Sequence, residues 1–595
     1  MKGRLQSPGG RSGLAVGLAA GIAALALAAT SGPEERARAA KAPAERPNVV
    51  AVMTDDQTVE SMRVMPKVQA KLGAKGITFE NSLTNWPLCC PSRATFLTGQ
   101  YAHNHGVLGN QPPQGGFDRL DSSETLPVWL QRAGYFTAHI GKYLNGYEGS
   151  AVGVPSGWSE WHGSKRTYTF YGYELLEGGQ RVTYGSRDED PDNPASPETY
   201  STDVYTDKAV ELIATRAPQR QPFFLSLAYL APHSGGPNNP EGEPPTRCQG
   251  TAKPAVRHKG VFDAEPLPVP PSFNEADISD KPAGIRDREP LTTEQVDAAA
   301  RRYRCRLESL LAIDEGVARI VDALNAAGEL ANTLIVFTSD NGFFHGEHRI
   351  RTGKNQVYEE AIRVPLLLRG PGVEKGRTVR DLVTNADLAP TILDAAGAEA
   401  GLAVDGRSLL PASRNPGRER GRELLIEQDR YAAVRTARYV YVEHTGGDSA
   451  GEVELYDLET DPFELQSQHA NPAYATVRAA LAARLAALRG CAAKACRIKP
   501  AVNLKLRGRE RRGDRRRCRP AGQVTAAIRG KAAADVTEAA FRIAGRVVRR
   551  DASAPFADKL PKRKLRRKRK PEIQAIAELV DGRRISLQER ARICR

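Results

Sequence analysis

The sequence predicts an α/β fold in which helices flank a mostly parallel sheet. Apolar strand-like runs alternate with helical patterns along the chain, as they do in proteins built from strand–helix–strand units. Four of these runs end at clusters of polar residues: Asn48 to Met53, Tyr135 to Ile140, Phe223 to Tyr229 and Thr333 to Phe337. Because ligands bind beyond the carboxyl ends of strands in open α/β sheets, we expect the four clusters to converge on one site.

The amino terminus has the pattern of an export signal. Basic residues precede an Ala/Leu/Gly-rich run. The sequence offers two alternative small-residue cleavage sites, Ala26-Leu27-Ala28 and Ala37-Arg38-Ala39. The apolar run, Leu14 to Ala29, is short and weakly apolar for a membrane span. We therefore expect a secreted or extracytoplasmic protein without a stable membrane span.

Two polar clusters offer only oxygen ligands. Asp55-Asp56 follows the first run and Asp340-Asn341 follows the fourth. Such a set suits calcium or magnesium better than zinc, and calcium tolerates the irregular geometry of ligands from two loops. Each pair alone is more often a helix cap or a turn, but at two strand ends the metal interpretation is favoured.

The stretch from Pro87 to Gly99 carries the pattern Cys-x-Pro-x-Arg. Pro91 favours the first turn of a helix, and the amide N–H groups of a helix start would form an anion site next to Cys89. The guanidinium of Arg93 suits a sulfate or phosphate oxygen. A buried pair of vicinal cysteines before an amphipathic helix is the alternative interpretation, which the complete pattern disfavours.

This stretch fits the signature of the sulfatases from end to end, and the chain resembles that family over roughly residues 47 to 498. The resemblance is closest to the N-acetylglucosamine-6-sulfatases and the extracellular heparan sulfatases. It rests on these motifs, whose order and spacing also match: Thr54-Asp55-Asp56-Gln57, Cys89 to Gly99, Tyr101 to His105, Gly141 to Asn145, Ala231-Pro232-His233 and Ser339 to Gly342.

The resemblance implies an alkaline-phosphatase-like α/β sandwich with a smaller carboxy-terminal subdomain. It also implies that a formylglycine-generating enzyme oxidises Cys89 to formylglycine, whose hydrate is the nucleophile. One calcium ion would be held by the modified Cys89 with Asp55, Asp56, Asp340 and Asn341. The sulfate would be surrounded by Arg93, Lys142, His233 and Lys354, and His233 or Lys142 would protonate the leaving oxygen.

Position 144 gives a hint about the substrate. Many sulfatases carry a histidine two residues after the lysine that corresponds to Lys142, but Leu144 stands here, as in the glucosamine-6-sulfatases. The resemblance thus favours a sulfated carbohydrate over an aryl sulfate. Two alternatives stay open: a phosphodiester or phosphonate ester hydrolase of the same fold, and a non-catalytic, secreted polyanion-binding protein with unmodified Cys89.

Composition and pattern, together with what the resemblance implies for residues 47 to 498, divide the 595 residues into five segments. With 40% hydrophobic residues the chain is not disordered and can form a globular enzyme with accessory domains. The segments are the signal peptide and leader (1–39), a linker (40–46), the catalytic domain (47–410), an antiparallel subdomain (411–498) and a basic, β-sandwich-like extension (499–595).

The predicted elements after residue 410 support this division. Two strands are predicted within Arg422 to Tyr441, a third over Glu454 to Leu458 and a helix over Tyr474 to Leu488. The extension has alternating runs, which predict a small all-β domain. These runs are Gly522 to Ile528, Ala539 to Val548, Glu572 to Val580 and a last one to Ile593.

Cysteine usage agrees with export. Apart from Cys89 and Cys90, six cysteines are present, an even number that is compatible with three disulfides. Cys491 and Cys496 are close enough to form a small loop, Cys518 with Cys594 would bracket the extension, and Cys248 with Cys305 follows by elimination.

The extension carries the positive charge of the chain. Residues 501 to 595 have 29 Lys+Arg against 10 Asp+Glu, a net charge of +19, whereas the rest of the chain carries −4. The basic run Pro561 to Lys570 predicts docking to polyanions such as sulfated glycans, with a solvated loop as the equal alternative. Because of the export signal we expect no nucleic-acid partner.

Two histidines after the fourth strand invite a metal assignment. His345 and His348 lie in the motif Phe344-His345-Gly346-Glu347-His348. We interpret them as pocket-lining or polar loop residues, because the oxygen ligands already account for one metal.

Overall fold

The computed structural model describes residues 46–186, 190, 193–238, 247–497, 499–512, 517–566 and 570–594. The predicted signal peptide and leader, and all but the last residue of the predicted linker, lie outside this set. No helix within the described ranges has both the length and the apolar character needed to cross a membrane.

The first part of the chain contains a large mixed sheet, a separate two-stranded sheet of its third and twelfth strands, and helices. Its strands are β1 (Asn48–Thr54), β2 (Ile77–Phe79), β3 (Ser82–Leu83), β4 (Phe136–Gly141), β5 (Glu160–Ser164), β6 (Tyr173–Glu177), β7 (Gln180–Tyr184), β8 (Phe223–Ala228), β9 (Thr333–Ser339), β10 (Leu366–Arg369), β11 (Arg377–Val379) and β12 (Val383–Thr384). Its helices are α1 (Pro66–Val68), α2 (Cys89–Thr98), α3 (Ala102–His105), α4 (Leu126–Arg132), α5 (Ser201–Arg216), α6 (Ala283–Arg286), α7 (Thr293–Ala326), α8 (Glu359–Ile362), α9 (Leu388–Ala396) and α10 (Leu410–Ser413).

The ten-stranded sheet has the order β11-β2-β10-β9-β1-β8-β4-β5-β6-β7. Its centre, β9-β1-β8-β4-β5, is parallel, while β10 runs antiparallel to β9 and β6 antiparallel to β5. The four strands that the sequence predicts to lead to the site are therefore direct neighbours. Their carboxyl ends meet at one edge of the sheet, which confirms the predicted mostly parallel α/β fold.

Both faces of the sheet are covered. Val50 and Val52 of β1 belong to the core beneath α5 and α7, whereas Val49 and Ala51 belong to the core beneath α2, α4 and α9. Successive strand residues point to opposite faces, so a strand buried on both faces is apolar along its length. The long helix α7 begins at a capping box, in which Thr292 and Gln295 bond each other's backbone N–H groups.

A smaller antiparallel sheet follows, with strands β13 (Leu424–Gln428), β14 (Tyr431–Arg435), β15 (Tyr439–His444) and β16 (Val453–Asp457) and helix α11 (Ala475–Leu488). The sequence predicts two strands between Arg422 and Tyr441, and this prediction is wrong because three strands start there. The turn between β13 and β14 contains only Asp429 and Arg430 and no glycine or proline, so the first two strands resemble one run.

Among the described residues after 498, the last part of the chain consists mainly of strands, as predicted for an all-β domain, with one short α-helix, α12 (Lys562–Leu565), and two short 3-10 helices. Its strands are β17 (Asn503–Arg507), β18 (Arg511–Arg512), β19 (Arg517–Cys518), β20 (Thr525–Arg529), β21 (Val536–Ile543), β22 (Arg546–Asp551), β23 (Ala557–Lys559), β24 (Glu572–Leu579) and β25 (Arg584–Arg590). They form the sheets β17-β20-β23 and β22-β21-β24-β25 around one core, with β18-β19 as a separate pair. The predicted single run Ala539 to Val548 is wrong, because a turn at Ala544-Gly545, where both residues have positive φ, divides it.

The three predicted disulfides are confirmed. Cys248 pairs with Cys305, Cys491 with Cys496 and Cys518 with Cys594, while Cys89 and Cys90 are free and buried. The carbonyl of Cys491 also contacts His103 of α3, whose other ring nitrogen lies 2.8 Å from Glu427 of β13. His103, which lies in one of the motifs named above, thus joins the large sheet's helices to the small sheet and is not part of the site described next.

Candidate active site

The carboxyl edge of the central sheet brings every predicted site residue together. Asp55-Asp56 follows β1, Asp340-Asn341 follows β9, Lys142 follows β4 and His233 lies after β8. Cys89 is the first residue of α2, and Arg93 lies one turn further along the same helix. Lys354 reaches the group from the loop before α8.

The two acidic loops bond directly to each other. The backbone N–H of Asp56 donates to Asp340 Oδ1 over 3.1 Å, and the side-chain amide of Asn341 donates to Asp56 Oδ1 over 2.6 Å. All four residues of the two pairs are at least 98% buried. The sequence predicts these pairs at separate strand ends, and the structure joins them into one unit.

Three cationic side chains pair with the buried carboxylates. Arg93 donates from Nε to Asp340 Oδ2 over 2.8 Å and from Nη2 to Asp55 Oδ2 over 3.3 Å. The ammonium of Lys142 contacts Asp55, and that of Lys354 contacts Asp56 and lies 3.0 Å from the Cys89 sulfur. Buried charges are stable only when paired in this way.

The cations keep the carboxylates ionised. Burial alone would raise the pKa of Asp56, but the charges of Lys354 and His233 outweigh it and lower the pKa to about 2. The pKa of Asp55 is likewise below its usual range, because Lys142, His233 and Arg93 overcome the effect of burial. Both side chains therefore present negatively charged oxygens at neutral pH.

The site residues fit a hard cation. Ligand atoms of Asp55, Asp56, Cys89 and His233 lie within 4.8 Å of one another. The side-chain oxygen of Asn341 is buried and accepts no hydrogen bond from any described residue, although its amide group is fully engaged. An acceptor left free among carboxylates is what a calcium ligand offers.

Cys89 stands in the structure as an unmodified cysteine. It is 1% exposed, and burial raises the pKa of its thiol to about 12 against the opposing charges of Lys142 and Lys354. The thiol is therefore neutral and a poor nucleophile at neutral pH.

Two positions of the first helical turn, where the sequence predicts an anion site, offer no free N–H group. The backbone N–H of Cys90 donates to the side chain of Asn110 over 3.0 Å, and Pro91 has no N–H. These two positions therefore contribute no N–H group to an anion site, whereas the side chains of Lys142 and Lys354 place positive charge beside Cys89.

His233 and Lys354 lie on the solvent side of the site. Their side chains are 17% and 10% exposed, whereas those of Arg93 and Lys142 are at most 4% exposed. Nδ1 of His233 donates to the carbonyl of Ser234 over 2.7 Å, and Nε2 lies 3.6 Å from Asp56. A ligand entering the site would meet these two residues first.

Comparisons with known proteins assign the family. Residues 47–398 match the sequence profile described as Sulfatase, and residues 346–490 match the one described as N-sulphoglucosamine sulphohydrolase, C-terminal. The first match covers more than half of the chain. The chain belongs to the sulfatase family.

Two curated sulfatases illustrate the similarity. The extracellular sulfatase Sulf-1 homolog of Caenorhabditis elegans is 36% identical over 369 residues, which are 61% of this chain and 48% of that protein. The human N-acetylglucosamine-6-sulfatase is 34% identical over 384 residues, 62% of this chain and 64% of that protein. The chain thus matches less than two thirds of the length of these relatives.

A solved sulfatase-fold structure superposes on most of this chain. It is described as a complex with the substrate D-glucosamine-2-N,6-O-disulfate, and it covers 74% of this chain and 97% of its own with a TM-score of 0.61 and 26% identity. The superposition confirms the alkaline-phosphatase-like fold that the sequence resemblance implies.

Two residues of this sulfatase site carry no signal in the sequence. Arg306 of α7 is buried, stacks on Phe343 and donates to the carbonyls of Asp56 and Pro232. The ring of Tyr168 lies 5.0 Å from the ring of His233 and 4.8 Å from the ammonium of Lys142. Neither residue belongs to a motif, so only the folded structure reveals them.

We predict that Arg306→Lys destabilises the site. A lysine keeps the charge but cannot reach both carbonyls with a planar fork, so one buried carbonyl loses its donor. The expected loss in unfolding free energy is about 1.5–3 kcal/mol, with a fall in kcat because the Asp56 backbone is no longer fixed. Denaturant unfolding and steady-state kinetics measure both effects. The matched control is Arg302→Lys on the same helix, and an equal loss in that variant would contradict the prediction.

Proposed function

We propose that this chain is an exported sulfatase that hydrolyses a carbohydrate sulfate ester similar to N-acetylglucosamine-6-sulfate. The carrying observation is the contact of Cys89 with a cluster of buried cations and carboxylates at the carboxyl edge of the sheet. The cations suit an anionic ester group, and the names of the curated relatives support a sulfated sugar.

The metal in this proposal is calcium. Asp55, Asp56, Asp340, Asn341 and the converted Cys89 would hold it, and the free oxygen of Asn341 supports this set. When bound, calcium supplies positive charge against the sulfate oxygens. The formylglycine made from Cys89 would, as its hydrate, supply one hydroxyl as the nucleophile and a second hydroxyl for the release of sulfate.

The chain's own residues bind and orient the ester. The ammonium of Lys354 lies next to the Cys89 sulfur, and the ammonium of Lys142 contacts Asp55. A sulfate held between these two ammonium groups can contact both with its oxygens. Arg93 holds Asp55 and Asp340 in place. His233, on the solvent side, is better placed than the buried Lys142 to protonate the leaving oxygen.

The basic extension is the proposed contact for polyanions. Four residues of α12 and its end are exposed cations: Lys562, Arg563, Lys564 and Arg566. The next three residues of the run lie outside the described set. Because a cluster of positive charges attracts negatively charged sulfated glycans at moderate salt, this surface would keep the enzyme near its substrate.

A substrate panel tests the proposal. We expect faster hydrolysis of N-acetylglucosamine-6-sulfate than of 4-nitrophenyl sulfate, and little activity on phosphate diesters or phosphonate esters. A clear preference for a phosphoester would assign the chain to the alternative hydrolase. Mass spectrometry of the Cys89 peptide from the native host should show formylglycine, and a purely unmodified thiol there would support the non-catalytic alternative.

A further inference from the structure

A second group of metal-binding side chains lies outside the candidate active site. His348 follows β9, Glu360 belongs to α8 and Glu464 lies in the loop after β16. One ligand atom from each lies within 4.8 Å of the other two. The three residues come from separate parts of the chain, so their meeting is a product of the fold.

One ring nitrogen of His348 contacts a carboxylate, and the other faces the two glutamates. The side chain is fully buried, its ring stacks on Tyr358, and Nδ1 donates to Glu275 Oε2 over 2.7 Å. Nε2 has no hydrogen-bond partner among the described residues, and in the neutral imidazole with its proton on Nδ1 it would offer a lone pair to a metal. Glu275 Oε1 also lies 3.2 Å from the ammonium of Lys281. A histidine oriented by a carboxylate on its second nitrogen is the usual arrangement at zinc sites.

The two glutamates also present free oxygens. Glu464 is 1% exposed; its Oε2 accepts from the backbone N–H of Glu359 over 2.9 Å, and within the described ranges its Oε1 has no donor. Glu360 Oε1 accepts from Ser272, while its Oε2 has no hydrogen-bond donor there and lies 3.8 Å from His348 Nε2. Buried acceptors without donors are rare, because each loses its hydration without compensation.

A shared proton does not account for all three atoms. One proton placed between two of them leaves the third without a partner, whereas one cation satisfies all three lone pairs. An adjoining cavity of about 540 Å³, lined by Glu360 and Glu347 among others, provides a path for a cation.

We propose that His348, Glu360 and Glu464 bind a zinc ion. One imidazole nitrogen and two carboxylate oxygens suit zinc better than calcium, which takes only oxygen. Tetrahedral zinc would hold its ligand atoms about 3.4 Å apart, so closure requires side-chain movements on the order of 1 Å. The ion would join the loop after β9 to the loop after β16 and so stabilise the folded protein. This proposal does not depend on the proposed sulfatase activity.

Direct metal analysis of the full-length wild-type protein tests this proposal. The protein is stripped with a chelator, dialysed against zinc chloride in excess calcium, and analysed by elemental mass spectrometry and by anomalous diffraction at the zinc edge. We expect one zinc ion per chain, an anomalous peak between the three side chains and a rise in melting temperature. Absence of the peak at this position would overturn the proposal whatever the total zinc content.

Variants separate ligation from general damage. Glu464→Gln should abolish zinc retention, and Glu275→Gln, which keeps the hydrogen bond but not the charge, should weaken zinc binding about 10- to 100-fold. The matched control is His444→Asn, which alters another buried histidine paired with a glutamate, Glu454, at 2.7 Å. Zinc binding unchanged in Glu464→Gln, or lost equally in His444→Asn, would contradict the assignment.

Discussion

Cys89→Ser is expected to abolish turnover while leaving the fold intact. Serine is nearly the same size as cysteine, so the buried position accepts it, but it carries a single hydroxyl. A sulfate ester formed on that oxygen has no second hydroxyl to expel it, so at most one sulfate group transfers to each chain. We expect kcat to fall by on the order of 10⁴-fold or more, as when other enzymes lose their nucleophile.

The adjacent cysteine supplies the matched control. Cys90 is equally buried and free, but its sulfur faces the carbonyl of Asn145 and not the carboxylates. Cys90→Ser should therefore retain activity within about tenfold, since it changes packing without removing a reacting group. Initial rates on the sulfated sugar, with intact-mass measurement after incubation, provide the readout. Comparable activity in Cys89→Ser and the wild type would refute the role of Cys89.

Asp56→Asn is expected to have the second largest effect. The substitution keeps the shape but removes the charge that Lys354 and Asn341 contact, and it places an amide where a cation would bind. We expect kcat to fall about 10³-fold. Higher calcium concentration should restore part of the activity, and a calcium chelator should inactivate the wild type reversibly.

A substitution at a carboxylate outside the site is the control for the general effect of losing a buried charge. Asp314 accepts hydrogen bonds from the backbone N–H groups of Lys67 and Val68 and contacts no site residue. Asp314→Asn should lower the melting temperature without changing kcat or the calcium dependence. Titrating the activity of both variants with calcium tests whether Asp56 is a ligand. Equal calcium dependence of Asp56→Asn and wild type would exclude that role.

Much of the site could be predicted because it depends on short segments at strand ends. Asp55-Asp56 and Asp340-Asn341 are predicted to meet once β1 and β9 are taken as neighbouring parallel strands, and the Cys89 motif adds the third element. Arg306 could not be predicted, since its contact with Asp56 spans 250 residues and depends on how α7 packs. The engagement of the Cys90 N–H by Asn110 likewise arises only in the folded structure.

The errors in the fold have a common physical cause. Strand runs are recognised by apolar pattern and are divided by turn residues. At Asp429-Arg430 the turn is short and charged, and at Ala544-Gly545 it falls inside a run of apolar residues. In both places the pairing of two strands, not the local composition, sets the turn.

The burial of Cys89 also constrains the order of events in the cell. A side chain that is 1% exposed, behind Lys354 and between two strand ends, offers no access to a modifying enzyme. Conversion to formylglycine would therefore have to take place on the nascent or unfolded chain, before β1 and β9 pair. Under the proposed function, a chain that folds first would be trapped as a stable protein without activity, and the yield of active enzyme would be set by competition between folding and modification.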